Sequence, residues 1–275
     1  MSHLHLMMIT NLPDIAAAAE ASGVDRIFLD FERLGKWERQ GHLDTYISDH
    51  QFEDIAAVRA AVSRAQVLAR VNPFNVRSPY EIDEVIRGGA DVVMLPMFTS
   101  RKQVSRFVEL VGGRARTCLL LETPQAMIRV RDIVREPGID EIHIGLNDLH
   151  LGLGLDFMFE IMTSGVLDFL SDTIRSRGIR FGFGGIARVG EGLLPAEKIL
   201  TEHARLRSEM VILSRTFHRR ARTLVELKQN VNLDEEVSKI QAVYALALNR
   251  SQDEIERDRH EVEDLVMRIV SRVKD

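Results

Sequence analysis

Short apolar runs alternate with helix-length amphipathic segments along most of the chain, and this alternation predicts the architecture. Strands are expected at about Leu4–Ile9, Asp25–Asp30, Gln66–Val71, Asp91–Leu95, Ala115–Glu122, Glu141–Gly145, Arg180–Phe183 and Met210–Leu213. Several are nearly continuous hydrophobic runs, as befits parallel strands covered on both faces. Helical periodicity covers Pro13–Ser22, Phe52–Ser63, Pro79–Arg87, Arg101–Leu110, Thr123–Arg135, Gly165–Arg177 and Leu193–Leu206. Helices repeatedly end in Gly-Val-Asp, Gly-Ala-Asp, Gly-Ile-Asp or Gly-Ile-Arg, where glycine closes the helix before the next strand. Eight such units predict a closed α/β barrel, a (β/α)8 TIM barrel over residues 1–230, ahead of an open doubly wound sheet.

Residues 231–275 break this rhythm and predict a C-terminal helical arm. Leu233–Asn249 and Gln252–Val273 read as two helices, the second opened by Ser251 and Glu254 in a capping-box pattern. Val237, Ile240, Val243 and Tyr244 form one apolar face; Ile255, Val262, Leu265, Val266 and Ile269 form another. Such helices either cap the barrel or pack on a neighbouring subunit. The second arrangement is favoured, because the helix ring is already complete, and it predicts a homo-oligomer.

Composition narrows the class. With 275 residues and a hydrophobic fraction of 45%, the chain has material for one large core. A formal charge of -5 argues against a partner of nucleic acid or anionic membrane. The single cysteine, Cys118, forms no internal disulfide and suits a reducing compartment. The first residues lack a basic segment and a long apolar core, and no run is long enough to span a membrane. A cytoplasmic protein with a small-molecule substrate is expected.

In a barrel, the loops after the strands converge on the carboxyl end, so whatever follows each strand bears on chemistry. Strand two runs into Asp30, Glu32 and Arg33, and strand three ends in Arg70 and Asn72. Strand five ends in Glu122, and strand six runs into Gly145, Asn147 and Asp148. Strand eight ends at Ser214 and Arg215. Burying so many charges at one end is costly unless they pair or bind something. By two-residue alternation Cys118, Leu120 and Glu122 share a face, which sets Glu122 over the barrel mouth if that face points inward.

Glu122 and Asp148, from adjacent strand ends, suit a shared hard divalent cation; a structural pair of Glu122 with Arg70 is the alternative. Arg70 suits an oxyanion or carboxylate, or serves to neutralise Glu122 or Asp30, and both roles can hold at once. The long segment from Phe31 to Gln51 carries His42 and His50 as candidate acid–base groups, with a solvated surface position the commoner role for either histidine. The run 182–188 is glycine-rich, and the amides of Gly184 and Gly185 are candidates to receive an anionic substrate tail, though tight-turn glycine explains the run equally well. Pro96 shapes the turn after strand four. No His-rich or Cys-rich spacing points to structural zinc, and no lysine ends a strand, which disfavours Schiff-base chemistry.

These stretches together resemble the metal-dependent 2-oxo acid aldolase and citrate lyase β-subunit superfamily. The carrying segments are Ile-Phe-Leu-Asp-Phe-Glu (27–32), Leu-Ala-Arg-Val-Asn (68–72) and Gly-Gly-Ala-Asp-Val-Val-Met-Leu-Pro-Met (88–97). Leu-Leu-Glu-Thr-Pro-Gln-Ala (120–126) and Ile-Gly-Leu-Asn-Asp-Leu-His-Leu-Gly-Leu-Gly (144–154) complete the set. The resemblance implies a barrel assembled as a trimer or hexamer with exchanged terminal helices. It implies Mg2+, or Mn2+ or Co2+ in its place, on Glu122 and Asp148, with Arg70 holding a 2-oxo acid such as pyruvate. Glu32 is then a neighbour of the metal through water, and the amides from Gly145 to Asp148 hold the substrate carboxylate.

Two positions depart from that pattern. Arg33 stands where aldolases of the superfamily carry an acid–base histidine, and Arg87 stands where a supporting aspartate is found. The leading expectation is a class II aldolase joining or splitting a 2-oxo acid and an aldehyde, sugar-derived aldehydes included. An acyl-CoA lyase of the citrate lyase type is the second expectation, and a catalytically silent metabolite-binding barrel the third.

Overall fold

Two opposite apolar faces on each strand require two cores, and the chain supplies both. Met7, Phe28, Leu68, Val92, Met94, Cys118, Leu120 and Met210 pack against one another inside the cylinder. The alternate residues, among them Leu6, Met8, Ile27, Leu29, Val67 and Ala69, pack outward against the helices. A computed structural model describes residues 3–35, 49–215, 217–218 and 221–274. Its strands are β1 (His5–Ile9), β2 (Arg26–Asp30), β3 (Gln66–Arg70), β4 (Val92–Leu95), β5 (Arg116–Leu121), β6 (Glu141–Ile144), β7 (Arg180–Ile186) and β8 (Met210–Leu213). Each pairs in parallel with its sequence neighbours, and β8 closes on β1 through His5–Met210 to Met8–Leu213. The open sheet is excluded, and the fold is the (β/α)8 barrel.

The helices are α1 (Pro13–Ala21), α2 (Glu53–Ala61), α3 (Ser78–Arg87), α4 (Arg101–Val111), α5 (Pro124–Ile128), α6 (Val130–Ile133) and α7 (Leu146–Leu153). They continue as α8 (Glu160–Thr163), α9 (Val166–Arg175), α10 (Ala196–Leu206), α11 (Leu224–Asn230), α12 (Leu233–Leu248) and α13 (Gln252–Lys274). The single helix expected over Thr123–Arg135 is two short ones, broken at Arg129. β7 runs three residues past its expected end, because Gly182–Gly185 forms an irregularity within the strand instead of a turn. A Cβ on Gly182 would lie 2.2 Å from the Met210 carbonyl oxygen, so only glycine lets β7 approach β8 there.

The terminal helices lie against their own barrel. Val237, Ile240 and Tyr244 of α12 and Val262 and Val266 of α13 are buried, α12 against α10 and α1, α13 against α10 and α8. Gln241 clamps β1's leading end: its Nε2 donates to the Leu4 carbonyl at 2.7 Å, and the Leu4 amide donates to its Oε1 at 3.2 Å. Tyr244 donates to the Ser208 carbonyl at 3.1 Å, just before β8. Five of the nine apolar residues that the sequence assigned to a subunit contact are thus covered within the chain, and Val243, Ile255, Leu265 and Ile269 are only partly covered. Among the described residues no helix is long and apolar enough to cross a membrane.

The amino end of the barrel is closed by charge. Arg26 donates through both terminal nitrogens to Glu141 at 2.7 and 3.0 Å, and Arg180 and Arg116 approach the same carboxylate at 3.3 and 3.4 Å. Burial alone would raise the Glu141 pKa, but the Arg26 hydrogen bonds and the three guanidinium charges outweigh it and hold it below the usual carboxylate value.

Candidate active site

At the carboxyl end, residues from β2, β3, β5 and the start of α7 meet. Asp30 and Arg70 are paired neighbours in the β2–β3 register. Arg70 donates from Nε to Asp30 Oδ1 at 2.9 Å and from Nη2 to Oδ2 at 2.8 Å. This two-point fork fixes the guanidinium plane and directs Nη1 to Glu32 Oε2 at 3.3 Å. The Glu32 amide donates back to Asp30 Oδ1 at 3.2 Å, and Arg215 approaches Asp30 from β8 at 3.7 Å. Although burial opposes the charge, Asp30 and Glu32 overcome it and keep Arg70 firmly protonated.

Glu122 stands one residue beyond β5, inward as alternation required, and is 3% exposed. The structural pair with Arg70 is not formed, since Arg70 is engaged by Asp30 and Glu32. Glu122 instead accepts the Met97 amide at 3.1 Å. Met97 holds φ at +53°, a left-handed conformation rare for a side-chain-bearing residue, and it follows Pro96 at the end of β4. On its other side the carboxylate lies over Gly145: a Cβ there would sit 2.9 Å from both Glu122 Cβ and Oε2. Gly145 is thus required by contact with Glu122, and it also precedes the first turn of α7, which carries Asn147 and Asp148.

Burial raises the Glu122 pKa well above its ordinary value, and the Glu32 and Asp148 carboxylates raise it further; Arg70 and the Met97 amide offset only part of this. Four acidic groups, Asp30, Glu32, Glu122 and Asp148, thus share this end of the barrel with Arg70. Among the described residues no three His, Cys, Asp or Glu side chains assemble into a closed metal cage. Glu122, which no ion pair relieves among the described residues, and the Asp148 carboxylate that acts on it nevertheless fit a hard divalent cation that keeps room for water and substrate. The residues present fit the group the resemblance implies.

The remaining expectations fall out as follows. His50 is buried beside this cluster, and its Nδ1 accepts the Asp30 amide at 2.9 Å, so the neutral ring carries its proton on Nε2. Burial lowers its pKa despite Asp30, Asp54 and Asp49 nearby. His42 lies outside the described residues. Arg33 donates from Nη2 to the His50 carbonyl at 2.9 Å. Gly184 and Gly185 lie inside β7, where packing accounts for them: Gly184 has φ +55°, its added Cβ would meet Leu146 at 3.0 Å, and its carbonyl contacts His143 Nε2 at 3.0 Å. Burial holds Cys118 as a thiol and so removes it as a nucleophile. Asp30 stands among the strand-end charges, and register pairs it with Arg70; the Met97 amide is the group that nothing in the sequence points to.

Residues 5–158, more than half of the chain, match the model of the HpcH/HpaI aldolase/citrate lyase family. No curated protein matches the chain. Among solved structures, an HpcH/HpaI aldolase from Desulfitobacterium hafniense DCB-2 is similar at TM-score 0.62 and 15% identity, covering 84% of this chain and 94% of that one. A citrate lyase β subunit from M. tuberculosis, complexed with oxaloacetate and magnesium, gives TM-score 0.60 and 16% identity, covering 90% and 98%. The citrate synthase SbnG gives 0.59 and 17%, covering 78% and 88%. At these identities the likeness establishes the barrel, and the family match establishes the class. The chain belongs to the HpcH/HpaI aldolase/citrate lyase family and is a lyase-type enzyme.

Proposed function

We propose that the protein is a metal-dependent carbon–carbon lyase that makes or breaks the bond between the carbon next to the keto group of a 2-oxo acid such as pyruvate and the carbonyl carbon of an aldehyde. The observation that carries this is Glu122, a buried carboxylate pressed against Gly145, repelled by Glu32 and Asp148 and relieved by no ion pair among the described residues. Glu122 and Asp148 would hold Mg2+ or a similar ion, which supplies Lewis-acid stabilisation of the negative charge that develops on the keto oxygen. Arg70, locked in plane by Asp30, presents a fixed positive charge to the same oxygen or to the carboxylate. The Asn147 and Asp148 amides in the first turn of α7 suit the substrate carboxylate, since the first N–H groups of a helix lack intrahelical partners.

Proton transfer falls to other groups. Arg33 stays charged and cannot serve as a base. His50 can donate through Nε2, whereas accepting a proton at Nδ1 would break its bond to the Asp30 amide. The test combines calorimetry with Mg2+ and deuterium uptake into the pyruvate methyl group. Glu122→Gln and Asp148→Asn should abolish metal binding, and Arg70→Ala should abolish metal-dependent exchange. Undiminished metal binding in both variants, or no exchange in the wild type, overturns the proposal. Arg33 in place of histidine favours a CoA ester as the competing partner, and cleavage of such an ester without pyruvate exchange would select it.

A further inference from the structure

A separate cavity of about 320 Å³ opens at the carboxyl ends of β8 and β1, across the mouth from Glu122. Ile9 and Ile15 form its apolar wall, and Asn11, Arg215, His218 and Arg222 give it a polar, cationic side. Asp49 lies at the same cavity and is outnumbered by the two guanidinium groups. His50 lines it too, so the cavity borders the Asp30–Arg70 cluster, and Arg215 joins the two through its 3.7 Å approach to Asp30. The decisive detail is His218 Nε2, which is sealed from solvent and has no hydrogen-bond partner. A buried polar nitrogen left unpaired is costly, and on a side chain that lines a cavity it points to a missing polar ligand.

We propose that this cavity is the subsite for a phosphate group carried by the second substrate of the lyase reaction. The inference rests on the lyase reading and adds the chemical class of that substrate. Guanidinium groups present forked N–H donors matched to phosphate oxygens. Asn11 already gives one N–H to Asp54 at 2.7 Å and has a second to offer. Two forked guanidinium groups, an amide and an imidazole present more N–H donors than the roughly four acceptor sites of a carboxylate, and a phosphate's three terminal oxygens match them better. Burial, with Arg215 nearby, holds the His218 ring below its usual pKa, and an anion at Nε2 would reverse that effect. The apolar wall leaves space for a short carbon chain reaching from the phosphate toward Arg70.

The test is a phosphorus NMR titration of the full-length protein with inorganic phosphate. Saturable binding is expected, weakened about tenfold or more in Arg222→Gln and in His218→Gln. D-glyceraldehyde 3-phosphate should displace the phosphate and D-glyceraldehyde should not. Arg222 is exposed, so its variant keeps the test readable if His218→Gln fails to fold. Absence of saturable binding, binding unchanged in both variants, or equal affinity for acetate each overturns the phosphate subsite. Pyruvate exchange in the wild-type protein separates the two claims. Exchange without phosphate binding overturns the subsite alone, and phosphate binding without exchange supports the anion site while overturning the lyase proposal.

Discussion

The two ends of this barrel bury the same residue type with opposite outcomes. At the amino end Glu141 is fully buried among three arginines, and its pKa falls; at the carboxyl end Glu122 is nearly as buried among carboxylates, and its pKa rises. Desolvation acts on both in the same direction, so the neighbours decide. A satisfied buried charge is structural cement, whereas an unsatisfied one marks a place where the fold is incomplete without a ligand.

Glu141→Gln leaves Arg26 buried without its counter-charge. A loss of about 3–5 kcal/mol in urea unfolding is expected. His143 lies midway along the barrel, with burial pushing its pKa down to about 4 from 6.5. A base depressed in the fold remains neutral while the unfolded chain takes up protons. Stability should therefore fall by about 3 kcal/mol as pH drops from the ordinary histidine value to the depressed one, and His143→Gln should flatten that slope. Gly145→Ala drives a methyl group against Glu122 and should cost about 1–3 kcal/mol in thermal unfolding. Ordinary stability in that variant would show that Glu122 does not rest on Gly145.

The smallest effect has the most telling sign. Glu122→Gln should stabilise the metal-free protein by on the order of 1 kcal/mol at neutral pH, because it removes a repelled charge. A carboxyl raised in the fold binds its proton before the unfolded chain does. The wild type should thus close this gap as pH falls toward the unfolded carboxyl value, the reverse of Glu141, whose contribution is present above that value and lost as pH falls through its lower folded one. Destabilisation by Glu122→Gln at neutral pH would place the two glutamates in one class.

The barrel was legible because buried parallel strands are written as apolar runs, so β8 matches its expected bounds and most others differ by a residue or so. α7 went unanticipated: Gly-Leu-Asn-Asp reads as a loop, yet the chain turns helical immediately after Gly145. Arg70, Glu122 and Asp148 were visible as charged residues at strand ends. The Met97 amide was not, since residue type does not encode its positive φ. The cavity was equally hidden, because it joins Ile9 to His218 across almost the whole chain.

The Gln241 clamp carries a consequence for synthesis. β1 is the first of the eight strands to be made, but its leading end is gripped by a side chain 237 positions later. Until that residue and β8 are made, β1 has one edge without its native partner, and the cylinder cannot close. A ring of this kind closes late, and its first strand waits longest.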